Sequence, residues 1–380
     1  MRITTFLLLL LAASALLVAT ACSTAPEPPP PSRPIGQVIE IKAPLGLPPV
    51  PIPADNPPTA ETIELGRRLY YDPILSVDNT ISCATCHDPK AGFADPKQFS
   101  VGVKGQKCDR NSPPVMNAAY YTLQFWDGRA PSLEKQAEGP VANPVEMAHT
   151  LDGVEKKLSA DASYRAMFER AFGPGRITYE RAEKAIASFE RTVLAGNSAF
   201  DKYKYGGDKK AMSPAAIRGM AVFSDPKKAN CAVCHPIGEK DALFTDNKFH
   251  NIGVGVSDEK PKDMGRFNVT KVDADRGAFK TPSLRNITQT APYMHDGSEA
   301  TLEEVRDFYI GAGNSNPWRD KEIKVLEHLT GRERADLMEF LNALTGELPP
   351  NVGPPEAQKS AQRDVPYHLA RSLFRFRHGL

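Results

Sequence analysis

Cys83-Ala-Thr-Cys86-His87 and Cys231-Ala-Val-Cys234-His235 are the residues of this chain best suited to chemistry. In each pentapeptide two thiols stand three residues apart and a histidine follows directly. That is the spacing at which both sulfurs add across the vinyl groups of one haem while the imidazole turns onto the iron. The competing assignment is a four-thiolate zinc ribbon, but a ribbon sets its cysteine pairs some tens of residues apart. Here the pairs are separated by about 150 residues, and zinc gives no reason for a histidine after both. The motifs therefore predict a c-type cytochrome with two covalently bound haems, ligated by His87 and His235.

Elements that could position two such sites are legible on either side of them. Gly66-Arg-Arg-Leu-Tyr-Tyr-Asp72-Pro73 precedes the first motif and Gly219-Met-Ala-Val-Phe-Ser-Asp225-Pro226 the second, so a helix closed by Asp-Pro should lead into each site. Ala182, Ile186, Phe189 and Val193 fall on one helical face, with an end expected near Gly196. Ala335, Leu337, Phe340, Leu341 and Leu344 do the same before Gly346. Strand-like alternation is scarce. The expected fold is mainly α, with two cytochrome c-like domains at 56–205 and 206–349, each holding one haem, and a C-terminal segment that could pack back on the first domain.

The ends carry targeting and tether signals. Met1-Arg2 and the apolar run at 6–18 read as a secretory signal, too short to span a bilayer comfortably. Ala19-Thr20-Ala21-Cys22 resembles a lipobox, which would make Cys22 the acylated first residue at the periplasmic face of a bacterial envelope. Plain cleavage near Ala21 is the alternative. Residues 23–55 are proline-rich and read as an extended tether. Residues 350–380 form a tail whose last part, Ala370 to Leu380, reads as basic and frayed or as an amphipathic surface helix. With 47 basic against 46 acidic residues, the chain offers no argument for nucleic acid.

Beyond the haem motifs, six further blocks occur in order: Arg110-Asn-Ser-Pro113, Gln124-Phe-Trp-Asp-Gly-Arg129, Gln136-Ala-Glu-Gly-Pro140, Pro144-Val-Glu-Met147, Thr281-Pro-Ser-Leu-Arg-Asn286 and Ala291-Pro-Tyr-Met-His-Asp-Gly297. With them the chain resembles the bacterial di-haem cytochrome c peroxidase family, which includes MauG, from about Asn56 to Pro349. The resemblance implies an oxidoreductase using hydrogen peroxide. Glu146 would be its acid–base group, Gln136 would orient the peroxide, and Trp126 would pass oxidising equivalents between the haems. It also implies a calcium ion held by Asn111, Thr290 and Pro292 through side-chain and backbone oxygens.

Two departures from the common pattern stand out. Typical members carry a histidine sixteen residues after the first proximal histidine that blocks the peroxide site, and Val103 stands there. The first haem should therefore be five-coordinate and open. Typical members ligate the second haem with methionine, where counting from Gly297 gives Tyr309, a hard ligand that favours oxidised iron. Both changes resemble MauG; Met294 is the competing ligand. The surface tryptophan through which MauG oxidises its protein substrate would fall at Ala229. Cys108 is left over as a free thiol, inert or redox-active.

Three functions follow. One is a peroxidase fed by a small exported cytochrome c or cupredoxin. Another is a MauG-like oxidase that modifies a residue of a partner protein. The third is an electron carrier without chemistry, which Glu146, Gln136 and the missing sixth ligand oppose.

Overall fold

The computed structural model describes residues 32–356, so Cys22, its lipobox and the tail from 357 lie outside the described residues. Among the described residues eight helices of nine residues or more run in the order α1 (Ala60–Tyr71), α2 (Leu133–Ala142), α3 (Leu151–Ala160), α4 (Ala162–Phe172), α5 (Tyr179–Glu190), α6 (Pro214–Ser224), α7 (Leu302–Ile310) and α8 (Gly331–Asn342). Among the described residues, and apart from isolated bridges, strand is confined to two-residue pairs, Phe249–His250 with Phe279–Lys280 and Val256–Ser257 with Lys260–Pro261, both antiparallel. The mainly helical expectation is met.

The sequence repeat has a packing purpose. Helix α1 lies against α5, and α6 lies against α8. A Cβ at Gly66 would land on the Ala185 carbonyl of α5, and one at Gly219 on the Asp336 carbonyl of α8. Each glycine thus lets its helix approach the partner's backbone more closely than any side chain permits. Thr59 and Thr330 start α1 and α8 with capping boxes. Asp72 and Asp225 close α1 and α6, and each carboxylate then accepts from the backbone N–H two residues on, at 3.0 and 2.8 Å.

A second repeat follows each haem motif. Asn117 and Asn286 both take left-handed φ, 60° and 56°, and open single 3₁₀ turns, Ala118–Tyr120 and Ile287–Gln289. Phe125 and Met294 then share φ near 70°, inside turns pinned by Gln124 N–H to Ala130 O (2.8 Å) and Tyr293 N–H to Glu299 O (2.7 Å). Counted from these matching bonds, Trp126 and His295 occupy equivalent positions in the two turns.

Two helix ends differ from the sequence expectation. Helix α5 stops at Glu190, before Val193, because the next bonds tighten to the 3₁₀ spacing, with Val193 N–H on Glu190 O at 3.0 Å. Val193 remains fully buried all the same. Leu344 likewise follows the end of α8, its N–H on Leu341 O at 3.2 Å.

The first core gathers Leu65, Leu69, Phe168, Phe172, Ala182 and Ile186; the second is a cluster of phenylalanines, Phe200, Phe223, Phe244 and Phe340. Their rings meet edge-on, at 5.0 Å between Phe223 and Phe340, an arrangement worth about 0.5–1.5 kcal/mol per pair beyond burial. Residues 32–58 contain no helix, turn at Pro44–Leu47 and Pro53–Asn56, and are tied to the body, so this part of the proline-rich segment is not a free tether. Ile35 N–H donates to Ala171 O, and the Gly46 carbonyl accepts from Arg285, itself in a buried ion pair with Asp201 at 2.8 Å. At the other end the chain returns to α1, where Tyr71 Oη donates to Val352 O (2.7 Å) and Arg67 Nε to Gly353 O (2.6 Å).

Candidate active site

Each Cys-x-x-Cys-His motif forms one tight turn, with His87 N–H on Cys83 O at 3.0 Å and His235 N–H on Cys231 O at 2.9 Å. One turn brings the two thiols of a motif to the same side and sets the histidine at its end. The first motif opens onto a cavity of about 440 Å³ and the second onto one of about 240 Å³. His235 Nδ1 lies 2.7 Å from the Phe244 carbonyl; with Nδ1–H donating there, Nε2 is the basic nitrogen left to bind a metal. His87 Nδ1 is buried without a hydrogen-bond partner. Burial lowers the pKa of both imidazoles, which favours the neutral, ligating form. Two thiols and one neutral imidazole on the wall of each cavity fit covalently attached haem.

The wall of the first cavity carries Glu146, Gln136 and Trp126 together with Cys83, Cys86 and His87. Gln136 is placed by α2, capped by Ser132, whose hydroxyl accepts from Lys135 N–H at 3.3 Å. Glu146 follows the end of α2, and Asn143 Nδ2 donates to its carboxylate at 2.7 Å. Burial raises its pKa, with Asp109 adding and the Asn143 bond and Arg129 opposing. Val103, where a blocking histidine would stand, is 1% exposed and packs in the first core. Its N–H donates to the Glu146 backbone carbonyl at 2.8 Å, which fixes the chain at Glu146, and its apolar side chain offers no ligand atom. Cys108 lies on the same wall, and burial pushes its thiol up to about 12, which keeps it protonated.

Tyr309, on α7, lines the second cavity with Cys231, Cys234 and His235, and Met294 and His295 lie on the same wall. Burial lifts the Tyr309 phenol well above its ordinary value. His295 stacks on Phe279 at 3.6 Å, and burial pulls it down to about 4. His250 is clamped between Asp320 (2.5 Å) and Asp246 (3.0 Å). Trp318 lies half-buried away from both cavity walls, its indole N–H on Asp273 at 3.1 Å.

Trp126 and Asn111 border both cavities. The Trp126 indole N–H donates to the Asn111 carbonyl at 2.8 Å, and Asn111 N–H donates to the His295 carbonyl at 2.8 Å, which joins the two equivalent turns. Thr290 and Pro292 share the second wall with Asn111. The Asn111 amide donates to the Lys97 and Gln98 carbonyls at 3.1 and 3.3 Å, leaving Oδ1 as its acceptor atom. Arg110 ties the region together through Asp263 and Asp127, both at 2.7 Å.

Two wall residues had no sequence signal. Glu190 is buried with Oε2 unpartnered, and burial pushes it up to about 8. Lys280 lines both cavities. The Trp126–His295 equivalence did leave a trace, the Asp-Gly that follows each residue.

Comparison with known proteins agrees with this arrangement. Residues 60–210 match the family model of di-haem cytochrome c peroxidases. The chain is 42% identical over 299 residues to the methylamine utilization protein MauG of Methylorubrum extorquens, covering 78% of this chain and 82% of that one. It is 37% identical over 320 residues to the cytochrome c551 peroxidase of Nitrosomonas europaea, covering 83% and 90%. A crystal structure of a MauG-like protein associated with microbial copper homeostasis superposes with a TM-score of 0.74 at 34% identity, covering 82% of this chain and 96% of that one. The molecule is a peroxidase-type oxidoreductase of the c-type cytochrome class. It belongs to the di-haem cytochrome c peroxidase family that includes MauG, a membership that implies two c-type haems.

Proposed function

We propose that the first cavity cleaves hydrogen peroxide at an open haem and that the second haem, held by His235 and Tyr309, shares the oxidising equivalents. A haem attached through Cys83 and Cys86 and ligated by His87 would supply the iron and the two electrons with which the O–O bond is broken. Glu146 accepts the proton of one peroxide oxygen and returns it to the other, which departs as water; the Gln136 amide orients the molecule. Trp126, bordering both cavities, is the route between them. One observation carries this reading. Glu146 and Gln136 share a wall with the Cys83-x-x-Cys86-His87 turn, while at the position of a blocking histidine Val103 is buried in the first core and brings no ligand to the cavity.

In this reading each half of the chain, 56–205 and 206–349, is a cytochrome c-like domain, which the repeated helix pairs support. Asn111 Oδ1 with the Thr290 and Pro292 oxygens would bind calcium between them. The leader and Cys22 would place the protein on the periplasmic side, anchored by lipid; no helix among the described residues is long and apolar enough to cross a membrane. Electrons would come from a small exported cytochrome c or cupredoxin.

The second reading is a peroxide-dependent oxidase that modifies a partner protein, and Tyr309 on the second wall favours it. Methylamine dehydrogenase maturation itself is not proposed, because Ala229 stands where MauG has its surface tryptophan and is 8% exposed. Stoichiometric peroxide followed by a reduced cytochrome or cupredoxin tests both. Rapid multiple turnover supports the peroxidase. An oxidised form that persists in the presence of these donors supports the protein-modifying oxidase. No reaction with peroxide refutes both.

A further inference from the structure

Lys280 ends the Phe279–Lys280 strand, and its backbone N–H donates to the Trp126 carbonyl at 2.8 Å. The side chain turns inward and the residue is 7% exposed. Nζ donates to the Leu123 carbonyl at 2.9 Å and sits 3.6 Å from the centre of the Tyr121 ring. A neutral carbonyl and an aromatic face stabilise an ammonium ion without neutralising it. Among the described residues no carboxylate pairs with Lys280. Asp127 is the acid that acts on it, and that carboxylate is already held by Arg110 at 2.7 Å and Arg129 at 3.0 Å. Burial accordingly pulls the amine down to about 7.

A cation buried without a counter-charge is costly unless a ligand brings one. Among the described residues Lys280 is also the only charged one that lines both cavities. Arg110 and Arg129, the other cations on the first wall, are already paired with Asp127. Haem brings the missing charge, since each macrocycle carries two carboxylate side chains.

We infer that Lys280 is a positioning residue whose ammonium ion binds a haem carboxylate at the partition between the two cavities, fixing that macrocycle beside Trp126 and raising its reduction potential. The inference rests on two haems being seated as proposed above. It gives the chain a means of setting how oxidising equivalents divide between the irons. A fixed positive charge disfavours the oxidised form of the nearer haem, so the hole would be pushed towards the other one.

The test compares wild type, Lys280→Met and Lys280→Arg as full-length proteins. Haem content is read by mass spectrometry, and both haems are followed in an optical potentiometric titration. Fewer than two haems in wild type would defeat the haem assignment itself. With two haems present, Lys280→Met should lower the reduction equilibrium constant of one haem roughly tenfold, which is 59 mV for a one-electron couple. Lys280→Arg should stay near wild type. The haem that shifts identifies the source of the carboxylate. Unchanged potentials in the Met variant, or equal shifts in Met and Arg variants, overturn the inference. If the Met variant loses a haem, retention of both by the Arg variant supports the charge pairing, and loss in both assigns Lys280 to packing and overturns it.

Discussion

Glu146→Gln is the substitution that tests the chemistry with least disturbance to the scaffold. The amide is nearly the same size as the carboxylate, and its oxygen can keep the 2.7 Å bond from Asn143 Nδ2. The bond from Val103 N–H goes to the Glu146 backbone carbonyl, so the brace at 2.8 Å is untouched. What is lost is a group that can take up and release a proton. A positioned acid–base group contributes about 10²–10⁴-fold, or about 2.7–5.4 kcal/mol of barrier at 1.36 kcal/mol per decade. Stopped-flow mixing with stoichiometric peroxide and no donor should show that slowing, with two haems per chain and unchanged ferric spectra. The pH profile gives a second sign. Burial raises the Glu146 pKa, so its basic form is depleted as pH falls through that raised value, and the wild-type rate should fall with it. The Gln variant has no such step. A variant within about tenfold of wild type, or one that keeps the step, refutes the assignment of Glu146.

Replacing Tyr309 with Phe should alter the low-spin electron paramagnetic resonance signal of the second haem while both haems stay attached, and an unaltered signal would make Met294 the ligand. Trp126→Phe should leave the first reaction with peroxide at the wild-type rate but remove the spectral change of the second haem that accompanies it; a normal second-haem response would mean another route. Gly66→Ala or Gly219→Ala forces a Cβ onto the facing helix carbonyl, and overpacking of this kind costs about 1–3 kcal/mol, to be read as a lower midpoint of thermal unfolding. A midpoint equal to wild type would mean that the helices part without cost.

The residues legible in the sequence are those whose chemistry depends on local spacing. Cys83, Cys86 and His87 need only one turn of chain to come together, and the same holds at Cys231. Gly66 and Gly219 were visible as a repeat, but the carbonyls they clear, on Ala185 and Asp336, belong to helices more than 100 residues onward in sequence. The ends of α5 and α8 were misplaced because apolar spacing continues through a 3₁₀ turn as readily as through an α turn, so Val193 and Leu344 stay buried past the helix. Lys280 and Glu190 were invisible for a deeper reason. Lysine and glutamate are ordinarily surface residues, and only the tertiary structure says that these two face a cavity wall.

The repeat also explains how one chain holds two different sites. Both halves use a glycine-notched helix pair, an Asp-Pro exit, a Cys-x-x-Cys-His turn and a left-handed asparagine, so the attachment chemistry is duplicated with its scaffold. Divergence lies in what the duplicated turns present and in the helices that follow them. At equivalent positions the first half offers the Trp126 indole and the second the His295 imidazole, which stacks on Phe279 at 3.6 Å. Gln136 and Glu146 belong to the first half alone, on α2 and the loop that follows it, while the second wall presents Tyr309 from α7. Under the proposed function, proton transfer falls to the first cavity and electron exchange to the second. Trp126, bonded to Asn111 and through it to the turn of His295, is the element common to both.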